Sequence, residues 1–315
     1  MALAATPAIL ALGEPMIEFN QTTPGRPDYL QGFGGDTSNA IIACVRQGAA
    51  CGYITRLGDD DFGRMFLDLW RAEGVDSSGV GIDGEARTAV YFVTHGADGH
   101  SFSYLRRDSA ASRMRPAHLP VGLIRGAHIL HVSGISQAIS EGARDSVRAA
   151  IALARQAGVM VSYDTNLRLK LWPLDTARQV IADTIGLTDY LLPSLEDLQA
   201  VSALQAPDAI LDWCFAHGAK NVVLKLGRAG CIAATRDART AIHGHRIDAV
   251  DATGAGDCFD GAFLARIDAG DDLIAAARYA NAAAALTTTG FGAVAPLPRR
   301  AAVEAFAAVR NNENA

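Results

Sequence analysis

The residues best suited to chemistry lie in a glycine-rich stretch near the C-terminus, residues 251–257, with the sequence DATGAGD. The apolar run at residues 259–267 is typical of a helix, so the glycines are expected at a helix N-terminus, where unpaired N–H groups favour an anion. Asp257 would lie in the first turn, where a carboxylate could accept the proton of a hydroxyl that attacks phosphorus. The same pattern also fits an ordinary glycine turn with a helix-capping Asp. Charge on a transferred group would be stabilised by three backbone amides, those of Gly254, Ala255 and Gly256.

Two common nucleotide-binding patterns are absent from the sequence. No Gly-Lys-Ser/Thr follows the glycines of residues 251–257, so the stretch is not a P-loop, and no GxGxxG follows the first strand-like run. These absences disfavour a P-loop enzyme and a nicotinamide-dependent dehydrogenase. The loop at residues 225–230 (KLGRAG) is a second candidate, but a Gly-x-x-Gly turn is weak evidence by itself.

Alternating strands and helices must position these residues. Short apolar runs, such as residues 159–163 and 221–226, alternate with stretches of helical period, such as residues 143–156. Gly74 is expected to end a further helix at residues 62–73. Short buried strands separated by helices of this length predict a mainly parallel sheet that is covered on both faces.

Two segments break this alternation. Residues 14–35 are rich in Pro, Gly and polar residues, and residues 87–107 alternate like exposed antiparallel strands. We expect both to form a small sheet, placed beside the core as a lid, although a hairpin without function fits the pattern as well. No interdomain linker is visible, so residues 1–315 are expected to form a single domain.

The composition limits the class of protein. The chain has 315 residues, a net charge of −6, 50% hydrophobic and 20% charged residues, which predicts a globular fold rather than a disordered chain. A pI near 5.7 gives no reason to expect nucleic acid or an anionic membrane as partner, and no apolar run reaches the roughly 18 residues of a membrane span. The five cysteines form no CxxC pair and no signal peptide is evident, which together favour a reducing cytoplasm.

The sequence resembles the PfkB, or ribokinase-like, family of sugar kinases. The family's C-terminal signature is matched by residues 251–257, and its Gly-Gly pair followed by Asn is matched by Gly34, Gly35 and Asn39. The resemblance covers essentially the whole chain. It implies an α/β fold with a three-layer αβα core, a mainly parallel sheet and a small β-sheet lid.

Within that family the sequence resembles most the 2-keto-3-deoxygluconate kinases, on residues 13–16, 104–112, 164–172 and 192–194. The resemblance implies that Asp257 is the general base. It implies that the sugar site is lined by Gly35, Asn39, Tyr91, Tyr104, Arg106 and Arg168. It also implies that ATP is bound by Asn166, Ser194, Lys225, Gly227, Gly230 and Asn281.

The resemblance implies Mg²⁺ with the ATP, but the metal motif departs from the family pattern. Many members carry Asn-x-x-Glu, whereas here Ser194 replaces Asn and Asp197 stands where Glu is expected. Glu196 is the neighbouring carboxylate, so either acidic residue could help to hold metal-bound water. Substrate phosphates supply several Mg²⁺ ligands themselves, so few protein ligands are needed.

The residue types agree with a sugar acid as substrate. A keto-deoxy sugar acid carries a carboxylate, which the planar guanidinium of Arg106 or Arg168 could bind. The expected function is therefore ATP-dependent phosphorylation of 2-keto-3-deoxygluconate to its 6-phosphate. The alternatives are a fructokinase, a ribokinase or nucleoside kinase, and a non-catalytic sugar- or nucleotide-binding regulator. A homo-oligomer is expected as well, because an exposed lid sheet offers open edges to a partner.

Overall fold

The structure, a computed structural model, describes residues 7–96 and 99–313. The strands, in chain order, are β1 Ile9–Leu12, β2 Met16–Gln21, β3 Tyr29–Gly34, β4 Cys51–Gly58, β5 Asp76–Asp83, β6 Ala89–Gly96, β7 Gly99–Leu105, β8 Ile129–Ser133, β9 Met160–Asp164, β10 Tyr190–Leu191, β11 Asn221–Lys225, β12 Gly230–Thr235 and β13 Arg239–His243. The helices are α1 Asp36–Arg46, α2 Asp61–Glu73, α3 Val121–Gly126, α4 Gly134–Ala138, α5 Glu141–Gln156, α6 Leu174–Ile185, α7 Leu195–Ser202, α8 Pro207–Ala216, α9 Ala255–Asp268, α10 Leu273–Thr287 and α11 Arg300–Glu313.

The larger sheet carries the core. Within the described residues it has nine strands in the order β13-β12-β11-β10-β9-β8-β1-β4-β5. Neighbouring strands from β11 to β5 run parallel, and β12 and β13 are antiparallel additions at one edge. The predicted, mainly parallel α/β sheet is therefore confirmed. In such sheets ligands bind beyond the carboxyl ends of the strands.

Helices cover both faces of this sheet. Successive side chains of a strand point to opposite faces, so Ile9 and Ala11 lie in one buried cluster and Leu10 and Leu12 in another. The first cluster includes residues of α1, α2, α9 and α10, and the second includes residues of α3, α5, α6, α7 and α8. The three-layer αβα core is therefore confirmed.

The second sheet is formed by the two irregular segments. Its described strands follow the order β3-β2-β6-β7. β2 pairs antiparallel with β3 and parallel with β6, and β7 pairs antiparallel with β6. This four-stranded sheet is the small sheet that the alternating residues predict, and we call it the lid.

Asp60 fastens the lid to the core. Its Oδ1 accepts a hydrogen bond from the Gly63 amide (2.8 Å), which caps the N-terminus of α2. Its Oδ2 accepts one from the Thr88 amide (2.8 Å), directly before the lid strand β6. The other end of α2 is closed by Gly74 at φ +84°, as the sequence predicts.

Two expectations from the sequence concern membrane spans and the cysteines. No helix within residues 7–96 and 99–313 is long and apolar enough to span a membrane. The five cysteines all fall in the described part of the chain, where each is buried and unbridged.

Candidate active site

The glycine turn lies at the N-terminus of α9. Gly254 has a φ of +75°, and a Cβ at this position would lie 2.9 Å from the carbonyl oxygen of Ala293, so only glycine fits. Asp257 lies in the first turn of α9, as predicted. The amide of Ala255 donates to the carbonyl oxygen of Ala252 (3.1 Å) and closes the turn, and its role in stabilising a transferred group stays a prediction.

Asp251 holds this turn in place. Its Oδ1 accepts from the amide (2.9 Å) and the hydroxyl (2.7 Å) of Thr253. Its Oδ2 accepts from the amide of Gly292 (2.9 Å), which lies 41 residues further along the chain. The carboxylate thus joins the glycine turn to the loop after α10 and restricts both.

The carboxyl group of Asp257 meets the lid-side end of α1. Asn39 Nδ2 donates to Asp257 Oδ2 at 2.8 Å. Burial, followed by the charges of Asp36 and Asp164, outweighs the Asn39 hydrogen bond and Lys225, and the net effect raises the pKa of Asp257 to about 7. A base with a pKa near neutrality is well matched to proton abstraction at physiological pH.

Two further carboxylates lie close to Asp257. They belong to Asp36 and Asp164, and Asn166 connects them. The side-chain Nδ2 of Asn166 donates to Asp36 Oδ2 (3.1 Å), and its backbone N–H donates to Asp164 Oδ1 (3.3 Å). Burial raises the pKa of Asp36, the hydrogen bond from Ser133 lowers it, and the charge of Asp164 raises it further. Asp36 Oδ1 and Asn39 Oδ1 are buried and accept no hydrogen bond from any described residue. Such orphaned acceptors call for an external donor.

Lys225 lies at the carboxyl end of β11, beside the first turn of α9. Its Nζ donates to Asp260 Oδ1 (3.0 Å) and Oδ2 (3.1 Å) and lies 3.3 Å from Asp164 Oδ2. A Cβ built on Gly256 would lie 3.7 Å from the same ammonium nitrogen. Burial lowers the pKa of Lys225, but Asp164 and Asp260 outweigh it and raise the pKa above its ordinary value.

Tyr91, a predicted sugar residue of the lid, lies against the glycine pair, since a Cβ on Gly34 would collide with its hydroxyl. Gly35 has a φ of +105°, and a Cβ there would lie 2.4 Å from the carbonyl oxygen of Glu14. The ring of Tyr91 stacks on that of Tyr104 with 5.9 Å between centroids. The Tyr91 hydroxyl donates to the buried Glu18, so its proton is already engaged inside the lid. Tyr104 is the more exposed ring of the pair and is 37% exposed.

The two predicted arginines differ in their surroundings. Arg106 is nearly buried and forms an ion pair with Glu14, whose Oε2 accepts from Arg106 Nε at 2.7 Å. Arg106 Nη2 lies beside the same carboxylate but makes no hydrogen bond to a described residue. Arg168 is exposed, and its Nη1 donates to the carbonyl oxygen of Leu167 (2.9 Å).

The predicted nucleotide residues follow β11 and lie along α10. Gly227, in the loop after β11, has a φ of +56°, and Gly230, the first residue of β12, has a φ of +103°. Asn281 is buried on α10, and its Nδ2 donates to the carbonyl oxygen of His243 (2.8 Å) rather than to solvent. Ser194 caps α7, because its Oγ accepts from the amide of Asp197 (3.1 Å).

Comparison with known proteins decides the family. Residues 7–300 match the family described as pfkB family carbohydrate kinase. The chain belongs to this family. The kinase is 36% identical to a protein named probable fructokinase-3 from Arabidopsis thaliana, over 92% of this chain and 88% of that protein.

Solved structures with the same fold agree with this membership. A putative ribokinase II from E. coli in complex with ATP and Mg²⁺ superposes with a TM-score of 0.89 at 26% identity, and covers 97% of this chain and 99% of that chain. A fructokinase from Vibrio cholerae O395 in a fructose-, ADP- and calcium-bound form gives a TM-score of 0.88 at 29% identity, over 96% and 99% of the two chains. The kinase therefore has a ribokinase-like fold and is a carbohydrate kinase, so neither the dehydrogenase nor the non-catalytic regulator accounts for it.

The residues of the kinase could hold Mg²⁺ only together with the phosphates of ATP. In the described part of the chain no group of three or more His, Cys, Asp or Glu side chains could enclose a metal ion. Asp197 is partly buried, and its Oδ2 accepts from Thr165 Oγ1 (3.0 Å) and the Leu167 amide (3.1 Å). Burial and then the charge of Asp164 raise the pKa of Asp197. A nearby cation would lower that pKa, because it stabilises the ionised carboxylate. Glu196 is exposed, so Asp197 is the better candidate.

The structure also adds residues that sequence reasoning overlooked. Glu14, Glu18, Asp36 and Asp260 are buried carboxylates at or beside the site. Acidic residues in apolar surroundings are a usable sequence signal, since they are rarely buried unless paired. Their partners lie far away in the chain, however, so the signal identifies the residues without their roles.

Proposed function

We propose that this kinase transfers the γ-phosphoryl group of ATP to the primary hydroxyl of a six-carbon 2-keto sugar. The observation that carries the proposal is the Asn39–Asp257 pair at the N-terminus of α9, beside the orphaned acceptors Asp36 Oδ1 and Asn39 Oδ1. A polyol supplies the hydroxyl donors that these oxygens lack. The base, the anion-binding turn and the acceptors thus serve one substrate.

The residues of the chain divide the reaction between them. Asp257 takes the hydroxyl proton while the oxygen forms its bond to the γ-phosphorus, and the bond to the β–γ bridging oxygen breaks with its electron pair leaving on ADP. The amides of Gly254 and Gly256 would stabilise charge on the transferred group, and one such donor contributes roughly 2.7–4 kcal/mol. The loop of Gly227 and Gly230 would support the nucleotide. Mg²⁺, when bound with ATP, would offset phosphate charge, with Asp197 orienting its water ligands.

Fructose is the sugar that the comparisons favour. The Arabidopsis and Vibrio relatives are named fructokinases, and the Vibrio structure contains fructose. The electrostatics support a neutral ketose as well, because Glu14 offsets the charge of Arg106 and Asp36 lies nearby. An anionic sugar would therefore find little uncompensated positive charge in the site.

The sugar acid 2-keto-3-deoxygluconate is a second candidate, supported by one specific observation. Glu14 pairs with the Nε and Nη2 side of the Arg106 guanidinium, so the donors on Nη1 could bind a substrate carboxylate. The exposed Arg168 could supply a second contact. The two sugars share the six-carbon 2-keto skeleton and differ at C1, which is a carboxylate in the sugar acid, and at C3, which lacks a hydroxyl there.

A coupled ADP-release assay with ATP and Mg²⁺ tests the proposal. Fructose, 2-keto-3-deoxygluconate, ribose and a nucleoside are compared by kcat/KM, and a six-carbon 2-keto sugar is expected to be the best substrate. Asp257→Asn should bind ATP and sugar but lose about 10²–10⁴-fold in turnover. A preference for ribose or the nucleoside, or near wild-type turnover of the variant, would contradict the proposal.

A further inference from the structure

A buried ion cluster lies directly behind the glycine turn. Lys225 comes from the end of β11, Asp164 from the end of β9 and Asp260 from α9, one turn after Asp257. Asp260 is 1% exposed, and the side chains of Lys225 and Asp164 are 12% and 7% exposed. A buried ion pair is often no more stabilising than a well-packed apolar pair, so stability is a weak explanation for this cluster.

The geometry points to Asp260 as a positioning residue, which holds the Lys225 ammonium beside Gly256 so that it contacts the phosphoryl group in transfer. This inference rests on the proposed function. The ammonium has three donors, and its hydrogen bonds within the described residues both go to Asp260, at 3.0 and 3.1 Å. The third donor faces Asp164 Oδ2 at 3.3 Å, a longer contact that a phosphoryl oxygen would replace. Lys225 would orient and stabilise the group without gaining or losing a proton.

The charges around Asp257 explain why Lys225 is suited to contact the phosphoryl group. The charged groups that act on Asp257 are Asp36 from α1, Asp164 from β9 and Lys225 from β11, of which Lys225 is the cation. The incoming γ-phosphate adds negative charge to a region that already holds several carboxylates. A lysine side chain has four rotatable carbons and needs fixed partners to stay aimed. The bidentate contact with Asp260 provides such a partner.

The buried His131 also faces Lys225, but it does not compete for the role. Its Nδ1 is 3.1 Å from Ser162 Oγ, and burial lowers the pKa of His131 to about 4. It is therefore neutral at physiological pH. Lys225 remains the charged donor that the cluster presents to the turn.

Nucleotide binding tests Lys225 without any assumption about the sugar. Calorimetry compares ATP and ADP on the wild-type kinase and on Lys225→Met. The variant should bind ATP about 10-fold or more weakly, because a charge-assisted hydrogen bond to the γ-phosphate is lost, and should bind ADP within about twofold of wild type. Equal losses for both nucleotides, or no loss, would overturn the contact with the transferred group.

Steady-state kinetics tests Asp260. Asp260→Asn should lower kcat about 10-fold or more, while the ATP affinity stays within about threefold or improves. The reason is that the Lys225 ammonium keeps its charge but is no longer held in a fixed position. The acidic limb of kcat/KM should move to lower pH in Asp260→Asn, where an anion is removed, and to higher pH in Lys225→Met, where a cation is removed. The opposite shifts check that both groups are charged close to Asp257, and a loss of kcat without a loss of ATP affinity separates a positioning role from a structural one.

A matched control and a second variant keep the test decisive. Asp271→Asn breaks the bidentate pair with Arg266 (2.7 and 2.7 Å) near the far end of α9 and should leave kcat unchanged. Lys225→Met/Asp260→Leu replaces the ion pair with apolar side chains and should fold but remain slow. Wild-type turnover in the folded double variant, or an unchanged kcat in Asp260→Asn, would overturn the inference. If the wild type binds ATP but phosphorylates no 2-keto sugar, the proposed substrate fails while the ATP–ADP comparison still decides the role of Lys225.

Discussion

The hydrogen bond from Asn39 to Asp257 makes the pH dependence of the kinase predictable. Asp257 must be ionised to accept the hydroxyl proton, and its pKa is raised to about 7. The wild-type kcat/KM should therefore rise with pH through an acidic limb near pH 7, because that profile reports ionisations of the free enzyme. Asn39→Ala removes the donor that stabilises the ionised form, so the limb should move to higher pH.

The 2.8 Å contact sets the size of the shift. A hydrogen bond to a charged group contributes about 1.5–3 kcal/mol, and one pKa unit corresponds to about 1.4 kcal/mol. Because the carboxyl group is only partly buried, we take the lower end and expect a shift of about one unit. At pH 7 the ionised fraction would fall from about one half to about one tenth, which lowers kcat/KM about fivefold.

The assay is ADP release at limiting sugar over about pH 5.5–9.5. Asn39 is also a predicted sugar contact, and loss of that contact would lower the whole profile without moving its limb. Ser38→Ala is the matched control, since Ser38 is the neighbouring buried residue of α1 and accepts from Trp70 Nε1 (3.1 Å) instead. An acidic limb that stays in place, or moves to lower pH, in Asn39→Ala would refute the assignment of Asp257 as the base.

Four further outcomes follow from the structure. Gly254→Ala should abolish turnover in a protein that still folds, as checked by circular dichroism, because the Cβ would lie 2.9 Å from Ala293. Asp60→Ala should lower the free energy of unfolding by about 1–2 kcal/mol in urea titrations, since the cap on Gly63 is lost. Asp257→Asn should lose less stability than wild type as pH rises from about 4 to 7, because the raised pKa of Asp257 stabilises the folded state only while that carboxyl is protonated. Light scattering should give a mass above the 33.0 kDa of one chain, and a monomer mass would remove the predicted homo-oligomer.

Features encoded by neighbouring residues were predictable. The glycine turn, the first-turn position of Asp257 and the Gly74 stop of α2 depend on backbone freedom and on helix ends, which are local properties. The parallel sheet and the lid follow from apolar periodicity. The preference for a sugar acid rested on a resemblance and on Arg106 and Arg168 as candidate carboxylate ligands, and the structure shows that Glu14 already pairs with Arg106.

The arrangement of charges was not predictable, because its partners are distant in the chain. Asn39 and Asp257 are separated by 218 residues, and Arg106 and Glu14 by 92. No periodicity encodes which buried carboxylate meets which donor.

From the order of its residues alone, the chain specifies a glycine-rich anion site on a covered parallel sheet with a lid, because turns and amphipathic periods act over a few residues. Tertiary packing decides the rest. It places Asp257, partly buried, among Asp36, Asp164 and Lys225, and so brings a carboxyl of ordinary acidity to a pKa of about 7. Tertiary packing also pairs the positive charge of Arg106 with the negative charge of Glu14. Burial and the distance between charges determine both properties, and neither exists until the strands and helices meet.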